Sequence, residues 1–279
     1  AGGTAGSDQQ SLEQFERRLE GNLAKLSEEL RMGVYRPRPI RRTYIDKPGS
    51  REKLPLGIPA VRDRVVQTAL KMVIEPIFEN EFMSTSFGFR PGKGCKNALR
   101  RVERLLRAGY TWIVDADLKS YFDSIPHDRL MERVREQIAD GRVLDLIEGF
   151  LKQQILEDLR LWTPEKGAPQ GAVISPLLSN IYLHAVDKAM KVAGYEMVRY
   201  ADDFVILCKS RHEAESALTL VSVLTQAQGL TLHTGKTSLV DTRQTGEGFD
   251  FLGYHFENGT RWPRKKSLKK FKDTIRNKT

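Results

Sequence analysis

The sequence predicts an α+β fold, an antiparallel sheet with helices on one face, and three observations carry that expectation. From residue 111 the patterns run strand, helices, strand hairpin, helix, strand, strand, which suits an antiparallel sheet better than a doubly wound one. Residues 195–210, YEMVRYADDFVILCKS, read as two strands around a tight turn that carries Asp202 and Asp203. Residues 111–118, TWIVDADL, read as a buried strand closing on Asp117. If these two segments neighbour each other, three carboxylates meet at one end of the sheet.

The elements follow in order. Apolar residues at 12, 15, 19, 23, 26 and 30 give helical spacing over 11–33, with Ser11 as N-cap and Gly33 as stop. Pro37 and Pro39 bar a helix, and the alternation in IRRTYI before a Pro-Gly turn predicts a hairpin over about 38–59. Residues 61–82 are helical, with Pro76 kinking or splitting the helix. A second helix ends at Gly109. Residues 124–153 read as two helices broken near Asp140–Gly141, and QQILEDLRLWTPEKGAPQG as a short hairpin running into a glycine-containing loop. A long helix over 172–194, a helix over 211–228, and strands in LTLHTGKTSLVD and FDFLGYHFENG complete the chain.

Composition narrows the partners. The 279 residues, 40% apolar and 29% charged, fit an ordinary globular protein of one large domain or two subdomains. No run of 18 apolar residues exists, so no membrane span is expected, and the opening AGGTAGSDQQ lacks the regions of a signal peptide. Cys95 and Cys208 lie far apart without a CxxC, which argues against a disulfide framework and a structural zinc site and for two reduced thiols in the cytosol. The net charge of +9 points to a polyanion, most commonly nucleic acid. Residues 35–53 hold seven Lys or Arg against two acids, and 261–279 hold nine against one. Such blocks suit a phosphate backbone.

Adjacent carboxylates repel, and burying them unpaired is costly. Asp117, Asp202 and Asp203 together would form a hard-oxygen site suited to Mg²⁺, which takes few protein ligands and fills its shell with waters and substrate phosphates.

Six ordered stretches between about 35 and 256 carry a resemblance. YADDFVIL (200–207) resembles the Tyr-x-Asp-Asp motif of reverse transcriptases, and DADLKSYFD (115–123) their first carboxylate motif. GAPQGAVISPLLSN (167–180) resembles their template- and nucleotide-contacting motif, and FLGYHF (251–256) the primer grip. FGFRPGKG (87–94) and LGIPAVRDRVVQTAL (56–70) resemble blocks of the group II intron-encoded reverse transcriptases, also called maturases.

The resemblance implies the fingers and palm of a right-hand polymerase. Fingers would span 1–110 with the basic hairpin; the palm 111–256, with interleaved helices at about 125–165; and 257–279 would begin a truncated thumb. It implies RNA-directed DNA synthesis by two-metal nucleotidyl transfer, with two Mg²⁺ ions (Mn²⁺ as substitute) on Asp117, Asp202 and Asp203. Lys236 would be the general acid toward pyrophosphate. Nucleotide contacts would come from Lys47, Arg51, Lys53, Arg62, the Leu118 carbonyl, Phe122 as a ring that blocks a 2′-hydroxyl, Gln170 and Gly171. Template and primer contacts would come from Arg64, Phe89, Arg90, Pro91, Ser175, Pro176, Leu252 and Gly253. Expected partners are an RNA template, a DNA primer, a deoxynucleoside triphosphate and group II intron RNA, with a homodimer as one assembly, in a bacterial cytoplasm.

One residue departs from the pattern. Relatives commonly read K-R-P-L-G-I-P where this chain reads KLPLGIP, so Leu54 stands where an arginine would meet the triphosphate. That departure keeps open a second expectation, a weakly active or inactive RNA-binding splicing cofactor. An RNA polymerase is a third; Tyr200 and Phe122 speak against it. Gln170-Gly171 argues against the diversity-generating branch and GFRPG against retrons, while CRISPR-associated relatives stay compatible.

Overall fold

The computed structural model describes residues 4–46 and 53–276. Helix α1 (Leu12–Glu16) starts with a capping box: the Ser11 hydroxyl accepts from the Gln14 amide and the Gln14 side chain from the Ser11 amide. The single helix expected over 11–33 is in fact two. Arg18 leaves helical geometry, and the Asn22 side chain donates to the Phe15 carbonyl at 2.8 Å, satisfying an acceptor exposed by the break. Helix α2 (Leu19–Arg31) then runs up to Gly33, whose φ of +69° only glycine adopts readily.

Strands β1 (Ile40–Asp46) and β2 (Lys53–Ile58) form the expected hairpin, in register from Arg41 opposite Ile58 to Asp46 opposite Lys53. Helix α3 (Val61–Glu79) carries Pro76 in its last turn. Next come α4 (Cys95–Arg107), β3 (Trp112–Asp117), α5 (Tyr121–Ser124), α6 (His127–Arg135) and α7 (Gly141–Leu151). The Asp140 carboxylate caps α7 by accepting from the Val143 amide at 3.0 Å. Strands β4 (Ile155–Glu157) and β5 (Arg160–Trp162) precede α8 (Ser175–Val192), β6 (Glu196–Tyr200), β7 (Asp203–Cys208), α9 (Arg211–Ala227) and β8 (Ser238–Asp241). Strands β9 (Phe249–Phe251), β10 (Tyr254–Glu257) and β11 (Thr260–Pro263) lead into α10 (Lys265–Arg276).

Two strand expectations change. FDFLGYHFENG is a hairpin, because Leu252 and Gly253 take φ of +47° and +86° and reverse the chain. In LTLHTGKTSLVD only the last four residues form β8, since the His233 carbonyl accepts from the Lys236 and Thr237 amides and closes a turn.

The chain gathers into two compact units: Ala1–Glu81 with Phe122–Tyr182, and Phe82–Tyr121 with Leu183–Thr279. These are divisions by contact; fingers, palm and thumb are divisions by expected role. The first unit holds a sheet in the order β2-β1-β4-β5, with β1 and β4 parallel. Its polar centre is Asp63, wholly buried, which accepts from the Tyr35 hydroxyl (2.6 Å), the Arg38 amide (3.0 Å) and the Gln153 side chain (3.2 Å). Burial pushes its pKa up and the hydrogen bonds from Tyr35 and Arg38 oppose that.

The second unit holds an antiparallel sheet in the order β6-β7-β3-β8. Phe204 to Cys208 are each at most 1% exposed, which is why β7 reads as a continuous apolar run rather than an alternating one. One face packs Ile113, Val198, Val205 and Leu207 against α4 and against Phe249, Phe251 and Phe256. Helix α9 lies against β3 and β7. Cys208 is buried, its thiol pushed up to about 12 by that burial, whereas Cys95 is exposed and hydrogen-bonded with the Tyr200 hydroxyl.

Candidate active site

Within the second unit β3 and β7 are neighbours, and their register sets Asp117 opposite Asp203. The turn between β6 and β7 is Ala201–Asp202; Asp203, expected in the turn with Asp202, is instead the first residue of β7. Ala201 has φ of +58°, unusual for a residue with a side chain. Gly88 backs the turn: a Cβ there would stand 2.3 Å from the Ala201 nitrogen. The first glycine of the FGFRPG block therefore has a packing reason, close approach of two backbones.

The 232–237 loop closes on Asp117. Leu118 bridges to Leu232, and the His233 amide donates to the Asp117 carbonyl at 2.7 Å. The Lys236 ammonium donates to Asp117 Oδ2 at 2.6 Å.

The carboxylates repel one another. Asp203 is pushed up to about 7, chiefly by burial and then by Asp115, Asp202 and Asp117. Asp202 is raised by burial and by Asp117, with Arg199 and Lys236 opposing. Asp115 is pushed up to about 6 by burial, then by Asp250 and Asp117. Asp115 was not among the expected site residues. Its spacing of two from Asp117, visible in DAD, puts both on one face of β3.

The donor set fits a divalent cation: all hard oxygen, with surplus negative charge whose ionisation burial opposes. Among the described residues no three His, Cys, Asp or Glu side chains gather closely enough to close a metal site alone. Mg²⁺ does not need them to, since one or two carboxylates plus substrate phosphates suffice.

Other expected residues divide between the units. In the second, Phe89 is 51% exposed and tilted against Tyr200, at 6.2 Å between ring centroids. Arg90 is turned inward, donating to the Met83 (2.6 Å) and Ser86 (2.8 Å) carbonyls over the Phe82 ring. Pro91 is exposed, and Leu252 and Gly253 form the β9–β10 turn.

In the first unit Phe122 is half-buried in α5. The Gln170 carbonyl accepts from the Gly57 amide at 2.7 Å, and a Cβ on Gly171 (φ +100°) would lie 2.4 Å from the Gly57 carbonyl. Gly171 thus has a local reason, contact with β2, where the sequence suggested contact with nucleic acid. The Ser175 hydroxyl donates to the Pro169 carbonyl at 2.8 Å, and Pro176 follows in α8. Gln67, wholly buried and unforeseen, accepts from the Val173 amide at 2.8 Å and holds the same loop. Arg62 pairs with Glu29 and stacks over Tyr35, while Arg64 donates to the Pro59 carbonyl at 2.9 Å and to that of Thr4. Lys53 is exposed; Lys47 and Arg51 lie outside the described residues. A cavity of about 590 Å³ is lined by Arg42, Tyr44, Gly57, Trp162, Lys166 and Gln170, among others.

A family profile described as "Reverse transcriptase (RNA-dependent DNA polymerase)" matches residues 45–256, which hold β2 to β9 and all three aspartates. The chain belongs to the reverse transcriptase family. Within that family it is similar to Protein YkfC of Escherichia coli K12, at 36% identity over 90% of this chain and 75% of that protein. It is also similar to the group II intron-encoded protein LtrA of Lactococcus lactis, at 40% identity over 61% of this chain and 28% of that protein. The resemblance to the group II intron branch is upheld by that similarity. The chain spans three quarters of YkfC but little more than a quarter of LtrA. A solved telomerase from Candida albicans shares the fold over 92% of this reverse transcriptase chain and 50% of its own, with a TM-score of 0.60 at 12% identity. Among the described residues no helix is long and apolar enough to cross a membrane.

Proposed function

We propose that this chain is the polymerase part of a group II intron reverse transcriptase, adding deoxynucleotides to a primer 3′-hydroxyl on an RNA template. The observation that carries it is the pairing of Asp117 with Asp203 across β3 and β7, with Asp202 in the adjoining turn and more negative charge there than Lys236 alone balances. Asp117, Asp202 and Asp203 would hold the divalent cations. Bound there, the cations would supply charge for activating the hydroxyl and steadying the triphosphate. The protein's own task is positioning and electrostatics.

Lys236, now on Asp117, is the proton donor toward pyrophosphate. Phe122 excludes a 2′-hydroxyl. The cavity beside Gly57 and Gln170, with Arg42 and Lys166 on its wall, takes nucleotide or template phosphate. The role of binding the triphosphate, in the absence of an arginine at 54, falls to Lys47, Arg51 and Lys53, and Phe89, Pro91, Leu252 and Gly253 border template and primer. Fingers are assigned to 1–110, palm to 111–256 and the start of a thumb to 257–279. Group II intron RNA is the native partner, in a bacterial cytoplasm.

The test is primer extension on an RNA template with Mg²⁺ and deoxynucleotides, comparing this chain with Asp202→Ala. Extension abolished by the substitution supports the proposal; equal use of ribonucleotides would overturn the DNA-polymerase reading. Leu54 favours one rival, an RNA-binding splicing cofactor. Tight intron-RNA binding with no extension, either by this chain or by a version lengthened through its thumb, would establish it.

A further inference from the structure

Arg199 directly precedes the Tyr-Ala-Asp-Asp stretch and takes no part in the proposed chemistry. It is 1% exposed, and Asp187 on α8 is 3% exposed. Its Nε and Nη2 donate to Asp187 Oδ1 and Oδ2 at 2.7 and 2.5 Å. Its Nη1 donates to the Ala201 carbonyl at 2.8 Å, the first residue of the turn and the one at φ of +58°. The main chain is held as well: the Arg199 amide donates to the Thr85 carbonyl at 3.0 Å, and the Phe87 amide to the Arg199 carbonyl at 2.9 Å. Gly88 follows that segment and abuts Ala201.

A buried ion pair of this kind gains little over well-packed apolar residues, so net stability does not account for it. What a guanidinium adds is direction, several donors in one rigid plane. We propose that Arg199 and Asp187 are a positioning pair: together they clamp the Ala201–Asp202 turn from inside and thereby set where the Asp202 carboxylate stands. The bearing on catalysis rests on the polymerase reading; the bearing on the turn does not. Lysine at 199 would keep the charge but not the three fixed donor directions, so Arg199→Lys separates the two.

The experiment uses the full chain as wild type, as Arg199→Lys, and as the double variant Arg199→Met/Asp187→Leu, which removes both charges and leaves neither buried alone. Amide hydrogen exchange over 198–204 reads the turn without reference to activity; primer extension with Mg²⁺, resolved into kcat and KM, reads its consequence. The expected result is exchange at 198–204 faster by about tenfold or more, with α9 unchanged. We also expect kcat lower by about tenfold or more with KM for the nucleotide within about twofold. Unchanged exchange in a cooperatively melting variant overturns the clamp. Faster exchange with unchanged kcat overturns its bearing on catalysis. If the double variant does not fold, Arg199→Lys decides by the same readouts. If neither the wild type nor its lengthened version extends primers, the polymerase reading fails and exchange alone decides the clamp.

Discussion

The hairpin β6–β7 and the hairpin β1–β2 use charge in opposite ways. In β6–β7 the cation is inside: Arg199 is sealed under the turn, spends its donors on Asp187 and Ala201, and leaves the carboxylates beyond it crowded. In β1–β2 the arginines are half-buried close to the surface. Arg42 stacks on Trp162 and approaches Glu157 at 3.6 Å, Arg41 donates to the Ala5 carbonyl, and Leu54 is 38% exposed. Interior charge costs desolvation and fixes geometry; surface charge is screened, adapts, and supplies field more than shape. One hairpin is therefore built before any ligand arrives, and the other suits a ligand that brings its own charge.

The largest test of that contrast sets Asp202→Ala against Arg42→Ala. The first should lower primer extension by about 10³-fold and the second by only a few-fold, by analogy with loss of preorganised against adaptable groups. Comparable losses would erase the distinction. Next is Gly88→Ala, whose added methyl meets the Ala201 backbone and should cost about 1–3 kcal/mol in denaturant unfolding. Gly21→Ala, in α2 with nothing within 4 Å, should instead gain about 0.5–1 kcal/mol.

The third test is pH. Asp203 ionises near its ordinary 3.8 in the unfolded chain but near 7 when folded. Between those values the folded state binds the extra proton, so this residue's contribution falls as pH rises and stays low above 7. Without divalent cations, Asp203→Asn should leave Tm unchanged at pH 4 and raise it increasingly toward pH 7. A pH-independent change would mean the carboxylate is not strained. The smallest effect is expected from Leu54→Arg: a KM for deoxynucleotide lower by about two- to fivefold with kcat unchanged, the signature of uniform binding. A change in kcat instead would bring β1–β2 into the preset class.

The catalytic register was legible because it is local chemistry on a simple period: an aspartate ending one strand, two opening another, and an apolar run between turns. What escaped was long-range. Asp187 lies inside an apolar-rich helix and Arg199 inside a strand, and only the folded chain makes them partners. Gly88 and Ala201 meet across 113 residues, a contact that no spacing encodes. The break at Arg17–Arg18 escaped for another reason. The apolar period over Leu12, Phe15 and Leu19 continues through it, and the Asn22 bond that stabilises it is a side-chain event. Residues 249–259 kept strand-like alternation across Leu252, which reverses the chain at a positive φ that leucine seldom adopts.

The two cysteines have a practical use that follows from their placement. Cys208 is sealed in β7 with its thiol held protonated, while Cys95 is open to reagents and touches the hydroxyl of Tyr200. A maleimide dye or nitroxide added to the native chain should therefore attach at one address, next to the aspartate turn, without any engineered cysteine. The label would report by fluorescence or electron spin resonance whenever nucleic acid or a cation reaches that end of the sheet.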